Sequence, residues 1–249
     1  MNFGICNLSI VPLRFEPSDR SEMISQLLYG ELFTILEKQE KWNKIKLLYD
    51  GYEGWVDNKQ FLAISEDKYL KFTQKETCYS TDLVDFINTQ NKQLLPICLG
   101  SSLHTIDVLQ HTFEGNFVTE KQSKSNLIET ALLYLNTPYL WGGKTPFGID
   151  CSGFTQMVYQ LNGFQLLRDA SQQATQGEVL SFIEEAEPGD LAFFDNEEGI
   201  ITHVGIILEN NHIIHASGKV RIDILDQSGI FNTDLKKHTH TLRVIKRMV

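Results

Sequence analysis

Residues 137–154 read Thr-Pro-Tyr-Leu-Trp-Gly-Gly-Lys-Thr-Pro-Phe-Gly-Ile-Asp-Cys-Ser-Gly-Phe. Glycine and proline recur in the part of this stretch that precedes Cys151, which predicts a loop. A helical spacing of apolar residues follows directly, at positions i, i+3, i+4 and i+7, which are Phe154, Met157, Val158 and Leu161. The two patterns together place Cys151 in the first turn of a helix.

This position favours a nucleophilic role for Cys151. Unpaired backbone N–H groups and the helix dipole at a helix N-terminus favour an anion, so we expect this thiol to ionise more readily than a free cysteine. We also expect the loop to hold the sulfur at the surface, where neighbouring glycines let a substrate approach the backbone. The alternative is that Cys151 is a small buried hydrophobic residue, as most free cysteines are.

Composition excludes several classes of protein. The chain has 249 residues, enough for one or two domains, and its formal net charge of -10 argues against a nucleic acid or an anionic membrane as partner. No apolar run approaches the ~20 residues that span a bilayer, and the first residues lack the pattern of a secretory signal. The four cysteines lie far apart without a CxxC pair, so we expect reduced thiols and a cytoplasmic location. We also expect a monomer.

The first half of the chain reads as short strands separated by turns. Apolar or alternating runs at 32–36, 44–49 and 52–56, with a tight turn at Asp50-Gly51, predict a small β-barrel over residues 1–64. Residues 65–120 are more polar, and we expect a second, degenerate barrel there, with strands at 94–98, 103–108 and 113–118.

From residue 121 the pattern predicts helices followed by strands. Ser123 or Ser125 is expected to cap a helix that ends at Asn136, with one apolar face formed by Leu127, Ile128, Ala131, Leu132 and Leu135. The Cys151 helix and a short helix near 169–177 come next. Strands are then predicted at 191–194, 202–208, 212–217, 220–225 and 242–246. Helices followed by antiparallel strands indicate an α+β domain over residues 121–249.

Two histidines lie on adjacent predicted strands, and the length of the loop between them decides whether they can meet. A two-residue turn would put His203 and His215 on opposite faces, whereas a three-residue loop over 209–211 pairs Gly205 with His215 and puts both rings on one face. A lone strand histidine is more often structural, but we predict the three-residue loop. His203 would then be the general base for Cys151, and His215 would fix its tautomer.

The motifs of the second half, in this order, resemble the NlpC-type papain-like cysteine peptidases of bacterial cell-wall turnover. They are Tyr139, Trp141-Gly142-Gly143, Asp150-Cys151-Ser152-Gly153, Arg168, Pro188-Gly189-Asp190-Leu191, His203-Val204-Gly205-Ile206 and His215-Ala216. The resemblance implies a papain-like α+β catalytic domain without a metal or cofactor. It further implies that Cys151, His203 and His215 are catalytic and that Tyr139 lies near the oxyanion site.

The N-terminal barrel resembles bacterial SH3-like domains, in motifs that include Arg14-Phe15-Glu16-Pro17-Ser18 and Gly54-Trp55-Val56. Together the two resemblances point to the γ-D-glutamyl-L-diamino-acid endopeptidases. That subgroup implies a murein peptide substrate with a free N-terminal L-Ala, whose amine is held by carboxylates in a cleft between the domains. The first candidates for substrate binding are Asp169 and Ser152, followed by Asp150, Ser171, Glu22 and Tyr52. For the last two, a solvated charge and a barrel aromatic are the simpler interpretations.

Two other functions use the same residues. The papain-like site could hydrolyse or transfer an acyl group on another substrate, or the SH3-like domain could bind wall peptides beside a vestigial catalytic domain. The complete set of Cys151, His203 and His215 argues against the second of these. The pairs His104 with His111 and His238 with His240 lack further ligands at zinc-site spacing, so we expect them to be exposed or hydrogen-bonded histidines.

Overall fold

The computed structural model describes residues 2–249, which divide into two compact units. The first unit contains the described residues up to Glu120 together with Trp141–Pro146, and the second contains Lys121–Leu140 and Phe147–Val249. The glycine-rich stretch before Cys151 is therefore shared between the two units.

The first unit is built on a seven-stranded antiparallel sheet. Its strands are β1 (Phe3–Ile5), β2 (Ile10–Arg14), β3 (Met23–Leu28), β4 (Leu32–Lys38), β5 (Trp42–Leu47), β6 (Glu53–Asp57) and β7 (Leu62–Ile64), in the order β3-β2-β6-β5-β4-β1-β7. The predicted turn joins β5 to β6: Gly51 has φ 72°, and the Asp50 carboxylate accepts the backbone N–H of Tyr52 at 2.9 Å. Alternating apolar residues such as Leu13, Phe33 and Ile45 form the core of this sheet.

Residues 65–120 differ from the expected second barrel in their strand pairing. They form α1 (Glu66–Thr73), β8 (Tyr79–Ser80), β9 (Val84–Asn88), β10 (Leu94–Cys98), α2 (Ile106–Leu109) and β11 (Phe117–Val118). Here β9 pairs with β10 and β8 with β11, and single bridges join Tyr79 to Ser102 and Asn88 to Thr112. The strand predicted at 103–108 is wrong because α2 occupies its second half. Such short strands close no sheet. Their apolar side chains instead share one cluster with Ile5 and Leu32 of the seven-stranded sheet and with Tyr29 in the turn between β3 and β4.

A buried ion pair attaches the segment 141–146, which contains β12 (Lys144–Thr145), to the first unit. Lys144 Nζ lies 2.9 Å from Glu31 Oε1, and the side chains are 1% and 7% exposed. The second oxygen of Glu31 accepts the backbone N–H of Leu28 at 2.8 Å, and the backbone N–H of Lys144 is donated to Gln26 Oε1 at 2.8 Å. Both charges are therefore paired in the interior.

The second unit combines helices with a long antiparallel sheet. Its elements are α3 (Asn126–Leu133), β13 (Gly148–Ile149), α4 (Cys151–Leu161), α5 (Ala170–Gln173), β14 (Glu178–Leu180), a 3-10 turn (Ile183–Glu185), β15 (Leu191–Asp195), β16 (Ile201–Leu208), β17 (His212–Ser217), β18 (Lys219–Asp226), β19 (Gly229–Asn232) and β20 (Lys237–Arg247). The sheet order is β14-β20-β15-β16-β17-β18-β19, and β19 also pairs with β20, so six strands close into a barrel. This architecture agrees broadly with the predicted α+β class.

The helix before the loop is shifted from its predicted form. The face of α3 that is buried consists of Leu127 and Ala131, with Tyr134 following, whereas Leu132 and Leu135 are exposed. Ser125 is the N-cap residue of α3, one of the two predicted positions, but its side chain makes no capping hydrogen bond. Leu132 and Leu135 fit the helical period of the apolar residues but lie at the edge of that face, where they are exposed to solvent. Asn136 ends the segment as predicted, with φ 70°.

None of the helices within residues 2–249 combines the length and apolar character needed to cross a bilayer.

Replacing Lys144 with Met is expected to destabilise the first unit, because it leaves the Glu31 carboxylate buried without its cation. Breaking a buried pair in this way costs about 3–5 kcal/mol of unfolding free energy. Urea unfolding measures the change. Lys44→Met is the matched control, since the Lys44–Glu53 pair at 3.0 Å is partly exposed, and exposed pairs contribute about 0–1 kcal/mol. Equal losses in both variants would contradict the prediction.

Candidate active site

The N-terminus of α4 holds Cys151 where the sequence predicts it. Asp150 is the N-cap residue, and its Oδ1 accepts the backbone N–H of Gly153 at 2.6 Å. Every residue of α4 is buried, because the apolar stripe and the small residues Ser152 and Gly153 let it pack on all sides. Cys151 is therefore the first residue of a helix in the interior of the second unit.

The environment of the thiol differs from the sequence prediction. Cys151 is 6% exposed, and its Sγ lies 3.9 Å from the carbonyl oxygen of Thr202, the residue before His203. Burial, reinforced by the Asp150 carboxylate, raises the pKa of the Cys151 thiol to about 12. The backbone hydrogen bonds and the Arg168 guanidinium lower that pKa by less. The prediction of a surface sulfur is wrong, and burial opposes the ionisation that the helix N-terminus favours.

Arg168 joins the residues on either side of Cys151. Its Nη1 donates to Asp150 Oδ1 at 3.0 Å and to Ser152 Oγ at 2.9 Å, and its Nη2 donates to Asp150 Oδ2 at 2.6 Å. Both charged side chains are almost completely buried. The pair therefore satisfies the charge of the N-cap and holds the first turn of α4 in place.

Tyr139 is brought beside the same turn by backbone pairing. The neighbouring Pro138 carbonyl accepts the N–H of Ile149 at 3.1 Å, and Tyr139 donates its own N–H to Gly218 at 3.0 Å. Burial, followed by the charges of Cys151 and Asp150, raises the pKa of Tyr139. Its phenol therefore keeps its proton and can donate a hydrogen bond.

The hairpin of β16 and β17 has the predicted register. Gly205 pairs with His215, the loop consists of residues 209–211, and Asn210 and Asn211 adopt φ 56° and 57°. His203 and His215 consequently share one face, with Nε2 of His203 2.8 Å from Nδ1 of His215. The prediction that the two rings meet is confirmed.

The hydrogen-bond chain continues to a residue that the sequence prediction missed. His215 Nε2 lies 3.2 Å from Oδ2 of Asp223, which is fully buried, and Arg221 Nε donates to the same oxygen at 2.7 Å. Asp223 pairs with Ile213 across β17 and β18 and so faces the same side as His215. Strand alternation places Asp223 on the same face as His215, and a charged residue at such a position in a buried strand is the signal that could have revealed it.

A third histidine, His240, lies against His203. Their rings are stacked with centroids 4.1 Å apart and an interplanar angle of 24°. His240 also bonds through Nδ1 to Thr239 Oγ1 at 2.9 Å. The expectation of a hydrogen-bonded histidine holds, but its position beside His203 follows only from the pairing of distant strands.

Burial makes these rings neutral. Burial, followed by the charges of His215 and His240, holds the pKa of His203 well below its usual value. Burial also lowers the pKa of His215, and it lowers that of His240 to about 4. Burial therefore favours the neutral forms of both the Cys151 thiol and the His203 imidazole.

Comparison with known families agrees with the geometry of this site. Residues 136–242 match the NlpC/P60 family, and residues 13–61 match the bacterial dipeptidyl-peptidase Sh3 domain. The chain carries an NlpC/P60 domain and a bacterial SH3 domain. The resemblance inferred from the motifs is confirmed.

Individual relatives cover most of the chain. It is 29% identical to "Dipeptidyl-peptidase 6" of Lysinibacillus sphaericus over 88% of this chain and 91% of the relative. It is 27% identical to "Gamma-D-glutamyl-L-lysine dipeptidyl-peptidase" of Bacillus subtilis (strain 168) over 77% and 71%. The crystal structure of an NlpC/P60 family protein from Bacillus cereus ATCC 10987 matches the fold with a TM-score of 0.80, at 19% identity over 99% of both chains. The predicted class of enzyme, a hydrolase acting as a peptidase, is confirmed by the family and the named relatives.

The remaining predicted residues are distributed over both units. Asp150 and Ser152 of the NlpC/P60 domain are held by Arg168, Asp169 is the N-cap of α5 in a capping box with Gln172, and Ser171 is exposed in that helix. Two others belong to the first unit. Glu22 is exposed and accepts a hydrogen bond from Trp141 Nε1 at 2.6 Å, and Tyr52 packs partly buried against the sheet core. Substrate binding by these six residues stays a prediction.

The raised pKa of Cys151 predicts how its alkylation depends on pH. Because the thiolate fraction grows tenfold per pH unit below the pKa, the rate of carboxamidomethylation by iodoacetamide should still be rising at pH 9. Mass spectrometry of the labelled Cys151 peptide measures it, with Cys151→Ala as the control for labelling of the other cysteines. A plateau near pH 7 would indicate the easily ionised thiol instead.

Gly205→Ala tests the register of the histidine hairpin. An added Cβ would lie 2.7 Å from Ile213 Cδ1 and 2.9 Å from His215 Cβ, so His215 must move. A misplacement of about 1 Å at a catalytic group costs about 100-fold in kcat. Peptide turnover by the folded protein measures the loss. Gly4→Ala is the matched control, since its Cβ would clash at 2.4 Å with Phe33 in the first unit; it should lower stability and spare kcat. Unchanged turnover by Gly205→Ala would contradict the prediction.

Proposed function

We propose that this cell-wall peptidase of the NlpC/P60 type is a cysteine endopeptidase that cleaves the γ-D-glutamyl–diamino acid bond of murein peptides with a free N-terminal L-Ala. Recycling of such peptides in the cytoplasm is the setting that we propose for it. One observation carries the chemistry: His203 bonds to His215 through Nε2 at 2.8 Å, which leaves its Nδ1 as the nitrogen for the thiol proton. The substrate class is supported by relatives named gamma-D-glutamyl-L-lysine dipeptidyl-peptidase.

The reaction that this arrangement supports is acyl transfer through sulfur. The Cys151 S–H bond breaks as the proton moves to Nδ1 of His203, and the electron pair left on sulfur attacks the side-chain carbonyl carbon of D-Glu. The phenol of Tyr139, which keeps its proton, is suited to donate to the developing oxyanion. His203 then gives its proton to the departing diamino acid amine, and water hydrolyses the thioester.

Recognition of the free amine is the finer part of the proposal. An ammonium group that leaves water needs carboxylate or carbonyl acceptors. Asp169 is the first candidate for this role. The net charge of -10 is compatible with a substrate that carries an amine.

Mass spectrometry of L-Ala-γ-D-Glu-diaminopimelate tests the proposal, with the lysine-containing peptide in parallel and N-acetylated copies of both. We expect cleavage after γ-D-Glu in the free-amine peptides only, lost in Cys151→Ala. Cys78→Ala is the matched control, because this partly buried cysteine belongs to the first unit.

Each other result contradicts a particular part of the proposal. Equal cleavage of free and acetylated peptides would retain the peptidase and remove amine recognition. Cleavage that persists in Cys151→Ala would exclude the nucleophile. No cleavage of any peptide would favour a different acyl substrate.

A further inference from the structure

The histidine pair ends in a buried carboxylate whose charge state is defined by its neighbours. Burial acts to raise the pKa of Asp223, but hydrogen bonds from His215, Arg221 and Thr233 outweigh it and hold that pKa below its usual range. Arg221 donates from Nε and Nη2 to the two carboxylate oxygens at 2.7 and 2.9 Å, an arrangement that suits an ionised Asp223 that only accepts hydrogen bonds.

Because Asp223 stands at the end of the hydrogen-bond chain as an acceptor, it determines which ring nitrogen of His215 and of His203 carries the hydrogen. Because Asp223 Oδ2 accepts, Nε2 of the neutral His215 must carry the hydrogen, and its Nδ1 is then the bare nitrogen. The 2.8 Å contact therefore requires His203 to donate from Nε2. The remaining nitrogen of His203, Nδ1, is left with a lone pair, as a base for a thiol proton must be.

We propose that Asp223 is a positioning residue that selects, through His215, the tautomer in which His203 Nδ1 can accept the proton of Cys151. The inference rests on the proposed function only in taking His203 as the base for Cys151.

The surroundings of Asp223 are arranged to hold a carboxylate in one orientation. Oδ2 accepts from His215 Nε2 and from Arg221 Nε, while Oδ1 accepts from Arg221 Nη2 at 2.9 Å and from the N–H and hydroxyl of Thr233 at 3.2 and 3.3 Å. Arg221 is itself paired with Asp234 at 2.9 Å. His240, stacked on His203, is a further titratable group that faces these rings.

The two oxygens of Asp223 have different donors around them, and this difference predicts the orientation of an amide at position 223. Three donors surround the Oδ1 position, so the amide oxygen of Asp223→Asn should take it and the NH2 group should face His215. Nε2 of His215 must then accept, its Nδ1 must carry hydrogen, and His203 must place its hydrogen on Nδ1. The base would be blocked although the volume of the side chain hardly changes.

The chain supplies a matched control on the same strand. Asp226 also accepts from a histidine, His238 Nε2 at 2.8 Å, but that pair is about half exposed and has no bond to His203 or His215. Asp226→Asn makes the same chemical change to an Asp–His pair that lies outside the hydrogen-bond chain of His203, His215 and Asp223.

The direct test is NMR of the wild-type protein labelled with 15N-histidine at neutral pH, with the ring signals assigned from His203→Gln and His215→Gln. We expect both His203 and His215 as the neutral Nε2–H tautomer. An Nδ1–H tautomer at His203 would overturn the proposal. This measurement needs neither substrate nor a variant of Asp223, so it decides the question even if no murein peptide is cleaved or Asp223→Asn fails to fold.

The kinetic test compares Asp223→Asn with Asp226→Asn on the cleaved peptide. Loss of a general base costs about 10²–10⁴-fold, so we expect a fall of at least about 100-fold in kcat with KM nearly unchanged for Asp223→Asn, and wild-type kinetics for Asp226→Asn. In a His215→Asn background, adding Asp223→Asn should cost little more, because Asp223 acts through His215. Wild-type kcat in Asp223→Asn, or full additivity with His215→Asn, would overturn the proposal.

Discussion

The pairing of Gly205 with His215 is the constraint on which the arrangement of the site depends. Because strand side chains alternate between faces, this one register puts His203, His215 and Asp223 on the same side of three neighbouring strands. A shift by one residue would turn both histidines away from each other. Glycine at position 205 permits the register, since a Cβ there would lie 2.9 Å from that of His215.

Burial then decides the chemistry of the groups that the register brings together. It favours the neutral forms of the Cys151 thiol and the His203 imidazole, whereas hydrogen bonds favour the ionised form of Asp223. The same balance operates around Arg168, whose guanidinium compensates the Asp150 carboxylate next to Cys151. Burying an unpaired charge is costly, so each of these ions is retained only where hydrogen bonds and an opposite charge surround it.

In the first unit, too, buried charges are paired with each other. Its seven-stranded sheet and the short elements of residues 65–120 share apolar clusters, and the Lys144–Glu31 pair buries two opposite charges there. Lys144 lies in the motif-rich stretch before Cys151, yet its contacts belong to the SH3-containing unit. A stretch that reads as one loop in the sequence thus contributes side chains to two cores.

Local pattern was enough to predict several features that depend on neighbours in the chain: the strands at 191–194, 202–208 and 212–217, the helix that starts at Cys151, and the hairpin that joins His203 to His215. Spacing and glycine placement determine these without reference to the rest of the fold. The tertiary structure alone decided the buried state of the thiol, the carboxylate of Asp223 behind His215, and the stacking of His240 on His203. These depend on desolvation and on contacts between strands that are distant in the chain, and a local periodicity carries no information about either.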